Sequence, residues 1–528
     1  LAASGMNVAF IYGFWFFFLN KLFKIPFKIT VGSGMVVILL YALMTGLGAS
    51  VIRATIMILF ILAGKLIDRD THSIALLSLV AMIMLIYNPA YINDVGFQLS
   101  FLVTFGLFVS SNLLQHKGNK VIGFIKDSAL VPLIAQIWVA PLQMYYFNTF
   151  SLYSIFANIF TAMILPFISF GGFISAIISI IQPISDFICK YFDLILTPFL
   201  NLLVKISTFF AQLPNSLITT THPSVIQILI YYSIVLLITL LFKQFSKKVL
   251  YLALGMTVVL LISTISFPNK NLEITAFAVQ NADSFLIKTP KGKYFIVDTA
   301  KSGYKGGKSQ AEIIILKYLK DKGIKNLEGM ILTHFDNDHS GGAVDLYSNL
   351  KIKNTYVNSF QDKSYTSAKI YKTIKPLTIA KNKEIIYTEP NLKIETFCTF
   401  VKNNDNESSI ITSITYKNYS FLFMGDAGII AYEKLKKDLP KNITVLKLGH
   451  HGAKNVINKE MLAELNPQYI LISSAQNDKN HPHILTLNTL RKSNVLRTDL
   501  NNSIKFSFGK NQLKIYTFNK DLKSYTRL

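Results

Sequence analysis

Cysteine is almost absent from this 528-residue sequence, which contains Cys189 and Cys398. Two widely separated cysteines exclude a disulfide framework and a cysteine-based zinc site. No secretory signal is visible, and no segment has the Gly-x-x-x-x-Gly-Lys-Ser/Thr spacing of a nucleotide-binding loop. Any energy-requiring step is therefore expected to use a separate motor. Because the sequence starts at Leu1 without a methionine, we also expect residues upstream of it.

Acidic residues are scarce as well, at 29 against 53 Lys plus Arg, and the formal net charge is +24. The mean hydropathy of +0.40 is nevertheless high for a charged soluble protein. A split near Pro268 resolves the conflict, because residues 1–268 hold 14 Lys plus Arg and 6 Asp plus Glu, and residues 269–528 hold 39 and 23. We predict a membrane domain, 1–268, and a soluble domain, 269–528. The basic surplus favours a polyanion or an anionic membrane surface as partner, and a lysine-rich proteome would explain it equally well.

Long apolar runs recur through the first domain, and several can cross a hydrocarbon core of about 30 Å. The runs cover residues 8–20, 33–49, 51–64, 73–87, 97–114, 128–146, 151–182, 225–242 and 249–267. Run 51–64 is short, and segment 183–222 mixes charged and apolar residues at helical spacing, so both are candidates for re-entrant or interfacial helices. The fold expected for this half is a polytopic α-helical membrane domain.

Lys and Arg are concentrated in every second connecting loop. The basic loops contain Lys21, Lys24 and Lys28; Lys65 and Arg69; Lys117, Lys120 and Lys126; and Lys243, Lys247 and Lys248. The intervening loops near 88–96 and 147–150 contain neither residue type. The positive-inside rule therefore places the basic loops in the cytoplasm. With one more span after the last basic loop, the C-terminal domain is predicted to lie outside the cytoplasm.

Several polar side chains are predicted to lie at membrane depth, where polar groups usually face a bundle interior or an aqueous path. We interpret Asn7, Arg53, Asp94, Gln98 and Gln136 together as a polar seam of a channel. Each one taken alone is also consistent with helix packing or interface anchoring.

Four segments of this half, 4–8, 94–101, 135–141 and 158–166, resemble the competence domain of the ComEC family of DNA-uptake channels. The first two read Ser-Gly-Met-Asn-Val and Asp-Val-Gly-Phe-Gln-Leu-Ser-Phe, and the first departs from the family, which has His where this chain has Asn7. The resemblance implies transport of single-stranded DNA across a bacterial cytoplasmic membrane during natural transformation. It also implies a cytoplasmic motor or helicase and an outer DNA receptor as partners.

The second domain changes to short β runs, at residues 273–277, 284–287 and 294–298, followed by a helical stretch and a strand at 329–333. Such alternation indicates sheets covered by helices. Thr-His-Phe-Asp-Asn-Asp-His-Ser-Gly-Gly follows, starting at Thr333. Its potential ligands are His334, Asp336, Asp338 and His339. A strand-to-helix loop can direct two imidazoles and two carboxylates to one point, so the sequence predicts a metal site here.

Two later apolar strands end in comparable groups, the first in Asp426 and the second in His450 and His451. With its HxDxDH motif, the domain resembles the competence branch of the metallo-β-lactamase superfamily. The resemblance implies an αββα fold, nuclease-type phosphodiester hydrolysis and two divalent cations, and the ligand types suit zinc and manganese alike.

Carried over residue by residue, the resemblance also implies individual roles. It assigns His334 and Asp336 to one metal and Asp338 and His339 to the other, with Asp426 as the bridge between them. One member of the His450–His451 pair would complete the site, and Asp338 would also orient the attacking water. The residues assigned to substrate binding are His481, His483 and Asp283.

The domain also departs from that superfamily. The loop at 278–284 keeps Asp283 but lacks the usual glycines, and no histidine lies between His339 and His450. Two alternatives therefore stay open: a transporter with a degenerate, non-catalytic domain, and a membrane-anchored hydrolase of a small substrate. We favour a channel for one DNA strand whose hydrolase domain cuts the other strand. The basic surface expected to attract DNA includes Lys301, Lys305, Lys308 and Lys454.

Overall fold

The computed structural model describes residues 5–111, 120–180, 184–264, 270–359, 364–476, 478, 480–509, 512–520 and 524–528. Ser4, Lys117 and Pro268 lie outside the described residues, as do the side chains of Lys120, Lys126, Cys189 and Lys243. The chain forms two compact units, Leu1–Ile265 and Ser266–Leu528.

The first unit is helical, because a helix satisfies its own backbone hydrogen bonds, as membrane burial requires. Its helices are α1 Gly5–Phe16, α2 Phe27–Met44, α3 Ala49–Leu66, α4 Ser73–Tyr87, α5 Val95–Val109, α6 Lys120–Phe147, α7 Ser154–Ala162, α8 Leu165–Ile178, α9 Ile184–Gln212, α10 Val225–Lys243 and α11 Lys247–Ser263. Among the described residues, five helices are long and apolar enough to cross a membrane: Phe27–Met44, Ala49–Leu66, Ala129–Phe147, Lys190–Gln212 and Val225–Phe242. The pair Ser154–Ala162 and Leu165–Ala176, bent by 57°, is a sixth candidate.

Two elements differ from the sequence interpretation. The run at 51–64 belongs to α3, whose 18 residues make it a candidate full span. Segment 183–222 contains the continuous 29-residue helix α9, most of which also passes as a span. Charged residues near the helix ends, such as Lys65 and Lys190, shorten the apolar run without ending the helix. The bent element lies at α7 and α8 instead.

A small antiparallel sheet joins two loops of this unit. Strand β1, Thr149–Ser151, follows α6, and β2, Leu217–Thr219, follows α9. Thr149 pairs with Thr219 and Ser151 with Leu217. After α7, α8 and α9 the chain therefore returns to the end of the bundle at which α6 stops.

The second unit contains two large mixed sheets. The first has the order β18-β17-β16-β3-β4-β5-β6-β7-β8 and the second β15-β14-β13-β12-β11-β10-β9. The strands are β3 Glu273–Ala276, β4 Phe285–Lys288, β5 Tyr294–Val297, β6 Asn326–Leu332, β7 Lys351–Val357, β8 Leu377–Ile379, β9 Glu384–Glu389, β10 Leu392–Phe397, β11 Ile411–Tyr416, β12 Tyr419–Phe423, β13 Val445–Lys447, β14 Tyr469–Ile472, β15 Val495–Arg497, β16 Ile504–Gly509, β17 Gln512–Asn519 and β18 Ser524–Arg527. The helices are α12 Leu316–Asp321, α13 Asn337–Ser340, α14 Ala343–Asn349, α15 Tyr365–Thr373, α16 Ile429–Leu435, α17 Lys459–Leu465, α18 Ile484–Thr489 and α19 Thr498–Asn501.

Side-chain alternation along the strands separates three apolar layers. In β12, Phe421 and Phe423 join the core between the sheets, where the ring of Phe423 stacks on that of Phe285 with centroids 4.7 Å apart. Leu422 points the other way and packs with residues of α16 and α17. A third apolar layer joins the outer face of the first sheet to α12, α14 and α15. The layers run helix, sheet, sheet, helix, which confirms the predicted αββα fold.

Candidate functional site

The candidate site lies at the carboxyl ends of parallel strands of both sheets. Asp298 follows β5 and His334 lies just after β6, and these strands run parallel in the first sheet. Asp426 and His450 come shortly after β12 and β13, which run parallel in the second sheet. Ligand sites form at carboxyl ends because loops there are free of the sheet ladder and can converge.

The loop after β6 presents its predicted ligands from two local structures. His334 and Asp336 lie on the loop itself, and Asp338 and His339 lie in the single-turn helix α13. Asp336 occupies the N-cap position of that helix but makes no side-chain capping bond. Its carboxylate is therefore available, and Oδ2 lies 3.6 Å from Nε2 of His334.

Asp426 presents its two carboxylate oxygens to different histidines. Its Oδ1 lies 3.0 Å from Nε2 of His339. Its Oδ2 lies 3.8 Å from Nε2 of His334 and 3.9 Å from Nε2 of His450. One carboxylate thus lies close to three imidazoles, and its donor atoms form a single group with those of His334 and His339.

Asp338 and His451 form a further contact in the same cluster, with Oδ2 and Nε2 3.6 Å apart. Ligands around a four-coordinate ion at about 2.1 Å lie about 3.4 Å from one another. The nitrogen–oxygen distances in the cluster, from 3.0 to 3.9 Å, lie on both sides of that value, so the backbone need not move to hold an ion. The described residues form three overlapping groups of possible ligands, all of which contain His339: His334, His339 and Asp426; Asp338, His339 and His451; and Asp283, Asp298 and His339.

Each of the buried imidazoles of His334, His339 and His451 is fixed through Nδ1. The Nδ1 partners are Thr333 Oγ1 at 3.1 Å for His334, Asp298 Oδ2 at 2.8 Å for His339 and Ser473 O at 3.2 Å for His451. Among the residues that the structure describes, the three Nε2 atoms and Oδ1 of Asp426 are buried without a hydrogen-bond partner. Buried polar atoms are normally paired, and imidazoles held at one nitrogen with the other free are typical of metal ligands. The residues therefore fit a divalent cation.

The charge distribution favours the same conclusion. Burial lowers the pKa of His339, but Asp426 and Asp298 raise it more strongly, so it lies well above its ordinary value. Burial raises the pKa of Asp426, and His339 and His451 reverse that effect and hold it well below its ordinary value. The cluster therefore keeps its central carboxylate ionised and attracts positive charge into a buried space.

The histidine pair after β13 adopts an unusual backbone. His450 and His451 have φ values of 45° and 51°, and a left-handed conformation costs a non-glycine residue about 1–3 kcal/mol. Gly449 before them packs so closely that a Cβ there would lie 2.0 Å from the carbonyl oxygen of Ala427. The strained turn directs His450 towards Asp426 and His451 towards Asp338, so the structure brings both members of the pair to the cluster.

The three residues assigned to substrate binding occupy different surroundings. His481 stacks on His450 with ring centroids 5.8 Å apart, next to the cluster. His483 accepts a hydrogen bond from the Leu485 N–H at Nδ1 and caps α18, so that nitrogen is not free for a substrate. Asp283 is fully buried and paired with Lys447, so it supports the cluster from inside the fold.

Two charged residues of the site are missing from the sequence prediction. Asp298 fixes His339, and because it follows the apolar strand β5, the strand-end pattern that found Asp426 could have found it. Lys447 is fully buried, and its Nζ donates to Asp283 and to the carbonyl oxygen of Gly425. A lysine inside an apolar strand was the signal for a buried ion pair.

The polar side chains predicted to form one seam make separate contacts in the helical unit. Asn7 accepts from Ser169 at 3.2 Å, Arg53 donates to Ser100 at 2.8 Å, Gln98 accepts from Tyr146 at 2.7 Å and Gln136 accepts from Ser154 at 3.1 Å. Asp94 is exposed and caps α5 by accepting from the Phe97 N–H at 2.7 Å. The first four contacts each join two helices, and Asp94 holds a helix end, so the described contacts do not link these residues into one network.

Comparison with known families divides the chain as the structure does. Residues 1–245 match the family described as Competence protein, and residues 278–473 match the Metallo-beta-lactamase superfamily. The second match contains the loop after β6 and the strand ends that carry Asp426, His450 and His451.

Individual relatives cover both units. ComE operon protein 3 of Bacillus subtilis is 26% identical over 541 residues, which are 96% of this chain and 67% of that protein. Recombination protein 2 of Haemophilus influenzae is 25% identical over 520 residues, which are 91% of this chain and 64% of that protein. The chain thus spans about two thirds of the length of these relatives. Among solved structures, the metallo-beta-lactamase fold protein YhfI from Bacillus subtilis is 13% identical, with a TM-score of 0.32, over 43% of this chain and 96% of that one.

Proposed function

Because the chain is a member of the ComEC family, with a competence domain joined to a metallo-β-lactamase-type domain, we propose that it takes up DNA during natural transformation. One strand would cross the cytoplasmic membrane through the helical unit, and the second unit would cut the strand that is not transported. The observation that carries the proposal is the buried Asp426, whose Oδ1 lies near His339 and whose Oδ2 lies near His334 and His450.

Two divalent cations are proposed at this centre, and zinc and manganese both suit imidazole and carboxylate ligands. One cation would be held by His334, Asp336, His450 and Oδ2 of Asp426, and the other by Asp338, His339, His451 and Oδ1 of Asp426. When bound, such cations acidify water and stabilise the charge that develops on a phosphodiester.

Residues of the chain would position the reacting groups around that centre. The side chain of Asp338 is 29% exposed and lies beside His451, where it can orient the attacking water. His481 stacks on His450 next to the cluster and can donate to a phosphate oxygen. Asp298 and Thr333 keep the imidazoles of His339 and His334 from turning, which preserves the geometry through the reaction.

Arg53 supports a path for a polyanion through the helical unit. Its Nε donates to Ser100, and its guanidinium lies 6.0 Å from the ring centroid of Phe101. Within the described residues no carboxylate lies at ion-pair distance from this guanidinium. An intramembrane arginine is costly unless it faces water or an anion, and the DNA backbone supplies an anion at every phosphate.

The pairing of β1 with β2 supports an extracytoplasmic second unit. Because the loops after α6 and α9 lie at one end of the bundle, the helices between them cross an even number of times, which is met if α9 is one crossing and the bent pair α7 and α8 is the other. Helix α10 then leads to the basic loop containing Lys247 and Lys248, which marks the cytoplasmic side. A crossing by α11, whose apolar run continues beyond the described residues, would place the second unit outside.

The proposal is tested by following both labelled strands of DNA into competent cells. Deleting the gene should stop entry of the label, and Asp336→Ala combined with Asp338→Ala should leave the opposite strand uncut. Glu433→Ala, which removes an exposed carboxylate on α16, is the matched control and should behave as the wild type. The transport step is assigned to a separate cytoplasmic motor, and DNA delivery to an outer receptor.

Each alternative function predicts a different result in the same cells. Unaltered uptake after deletion would remove the transport function and favour a hydrolase of small substrates. Normal entry together with normal strand cutting in the aspartate double variant would favour a second unit that binds DNA without hydrolysing it.

A further inference from the structure

A groove of about 800 Å³ lies on the second unit, away from the ligand cluster. It is formed by the β4–β5 turn, the segment between α12 and β6, and the start of β7. The lysines that line it are Lys293, Lys322, Lys325, Lys351 and Lys353. All five are exposed, so the surface of the groove is basic and open to a partner.

The position of the groove separates it from the metal ligands. It lies at the amino ends of the parallel strands β5, β6 and β7, whereas Asp298 and His334 follow the carboxyl ends of β5 and β6. Strand β6 has 7 residues, which corresponds to about 23 Å along the strand. The groove is therefore a second surface of the unit and not a wall of the centre.

The charge of the groove is concentrated and largely uncompensated. Glu328 is the single carboxylate among the lining residues, and it is shared by Lys353 at 2.5 Å and Lys293 at 3.3 Å. Lys322, Lys325 and Lys351 have no carboxylate within ion-pair distance in the part of the chain that the structure describes. The groove is lined by five lysines and one carboxylate. Residues 269–528 as a whole carry 39 basic and 23 acidic residues, so the basic excess in the groove is larger than that of the domain.

The shape and the remaining lining residues favour a nucleic-acid strand over a bilayer. Asn326 lies among the lysines, and Tyr294 and Tyr347 are half-buried at the wall of the groove, where they pack against the apolar layer of the first sheet. Surfaces that bind single strands combine a positively charged groove with aromatic rings on which bases stack. A planar layer of lipid headgroups would contact lysines on a projecting surface more readily than lysines that line a recess.

The geometry points to a distal anchoring site, in which this groove holds the phosphodiester backbone of the strand that is cut at the metal centre. The inference rests on the proposed function and adds a second contact about 23 Å from the centre along the strand direction. A substrate long enough to reach both places is held at both, and a small phosphodiester is held at the centre alone.

The test uses the whole chain in detergent and a labelled single strand of about 30 nucleotides, longer than the ~4–16 nucleotides that one single-strand-binding fold covers. Binding is measured with a chelator present, so that the strand stays intact. The groove variant combines Lys322→Gln, Lys325→Gln and Lys351→Gln. The control combines Lys437→Gln, Lys441→Gln and Lys459→Gln, which removes the same charge from exposed lysines outside the groove.

The groove variant is expected to bind the strand on the order of 100-fold more weakly at about 0.1 M salt, with a salt slope smaller by about 2, because each phosphate contact contributes about 0.7 to that slope. The control should stay within about twofold of the wild type, since exposed lysines elsewhere make no phosphate contact. Unchanged binding, or equal losses in both variants, would overturn the inference. Loss of binding to anionic phospholipid vesicles with retained strand binding would overturn it in favour of a bilayer.

Hydrolysis of bis(p-nitrophenyl) phosphate with added manganese separates the groove from the centre. All three proteins should hydrolyse this small diester equally, because it cannot reach the groove. Failure of the wild type to hydrolyse it would count against the proposed function, and the binding comparison would still decide the groove.

Discussion

Lys447 shows how one buried residue can support several ligands. Its Nζ donates to Asp283, whose Oδ1 lies 3.7 Å from Nδ1 of His451 and whose Oδ2 lies 3.8 Å from Nδ1 of His339. The same ammonium group donates at 2.8 Å to the carbonyl oxygen of Gly425, directly before Asp426. A single cation from β13 therefore fixes the backbone beside the bridging carboxylate and neutralises a charge behind two histidines.

Replacing this lysine is expected to weaken the whole cluster. Lys447→Met leaves Asp283 buried and unpaired, which costs about 3–5 kcal/mol. We expect faster amide hydrogen exchange in β12 and β13 and weaker binding of a titrated cation. Adding Asp283→Asn should recover part of the loss, because it removes the unpaired charge. Wild-type exchange rates in these strands of Lys447→Met would show that the ion pair does not support the centre.

The residues of the cluster could be predicted from the sequence, and the residues that support them could not. His334, Asp336, Asp338 and His339 are adjacent in the chain, so a local motif reveals them. Lys447 pairs with a residue 164 positions away. Such partners meet only when two sheets pack face to face, and no local pattern records that packing.

At the scale of elements, hydropathy predicts most helices of the first unit because burial in lipid requires long apolar stretches. It could not predict the pairing of β1 with β2, since strands of three residues carry no periodic pattern. Likewise, the strands β16, β17 and β18 join the first sheet beside β3, and such long-range pairing is set by the fold. The β1–β2 pair nevertheless requires the helices between its strands to cross the membrane an even number of times.

The even number of crossings makes the membrane topology testable with cysteines introduced one at a time. Asn93→Cys and Lys441→Cys should react with an impermeant thiol reagent from outside intact spheroplasts, and Asp70→Cys only after permeabilisation. All three positions are exposed. The opposite pattern, or equal labelling of all three, would contradict the proposed orientation.

The natural cysteines are replaced by alanine in that experiment. Burial raises the pKa of the Cys398 thiol to about 12, and the thiolate is the reactive form. Cys398 would therefore label slowly at neutral pH on either side of the membrane, which makes it a poor reporter of the second unit.

At the scale of the whole molecule, the proposed function gives the two units complementary tasks. In that proposal the helices pass one strand across the membrane, and the cluster around Asp426 cuts a phosphodiester on one side of it. In the proposed orientation, the strand that enters the bundle leaves the compartment of the centre, and the other strand remains there to be cut. The choice of the strand that is cut then depends only on the side of the membrane on which the metal centre lies. It requires no recognition of the DNA sequence.

The central claim is that the cluster around Asp426 holds divalent cations that cut DNA. Metal analysis and DNA cleavage by the purified chain test it most directly, with Asp426→Asn as the variant of equal size. The account predicts about two divalent cations per wild-type chain, and loss of most of them, with cleavage reduced by about 100-fold or more, in the variant. A wild-type chain that retains no divalent cation, or an Asp426→Asn chain that cuts DNA at the wild-type rate, would contradict it.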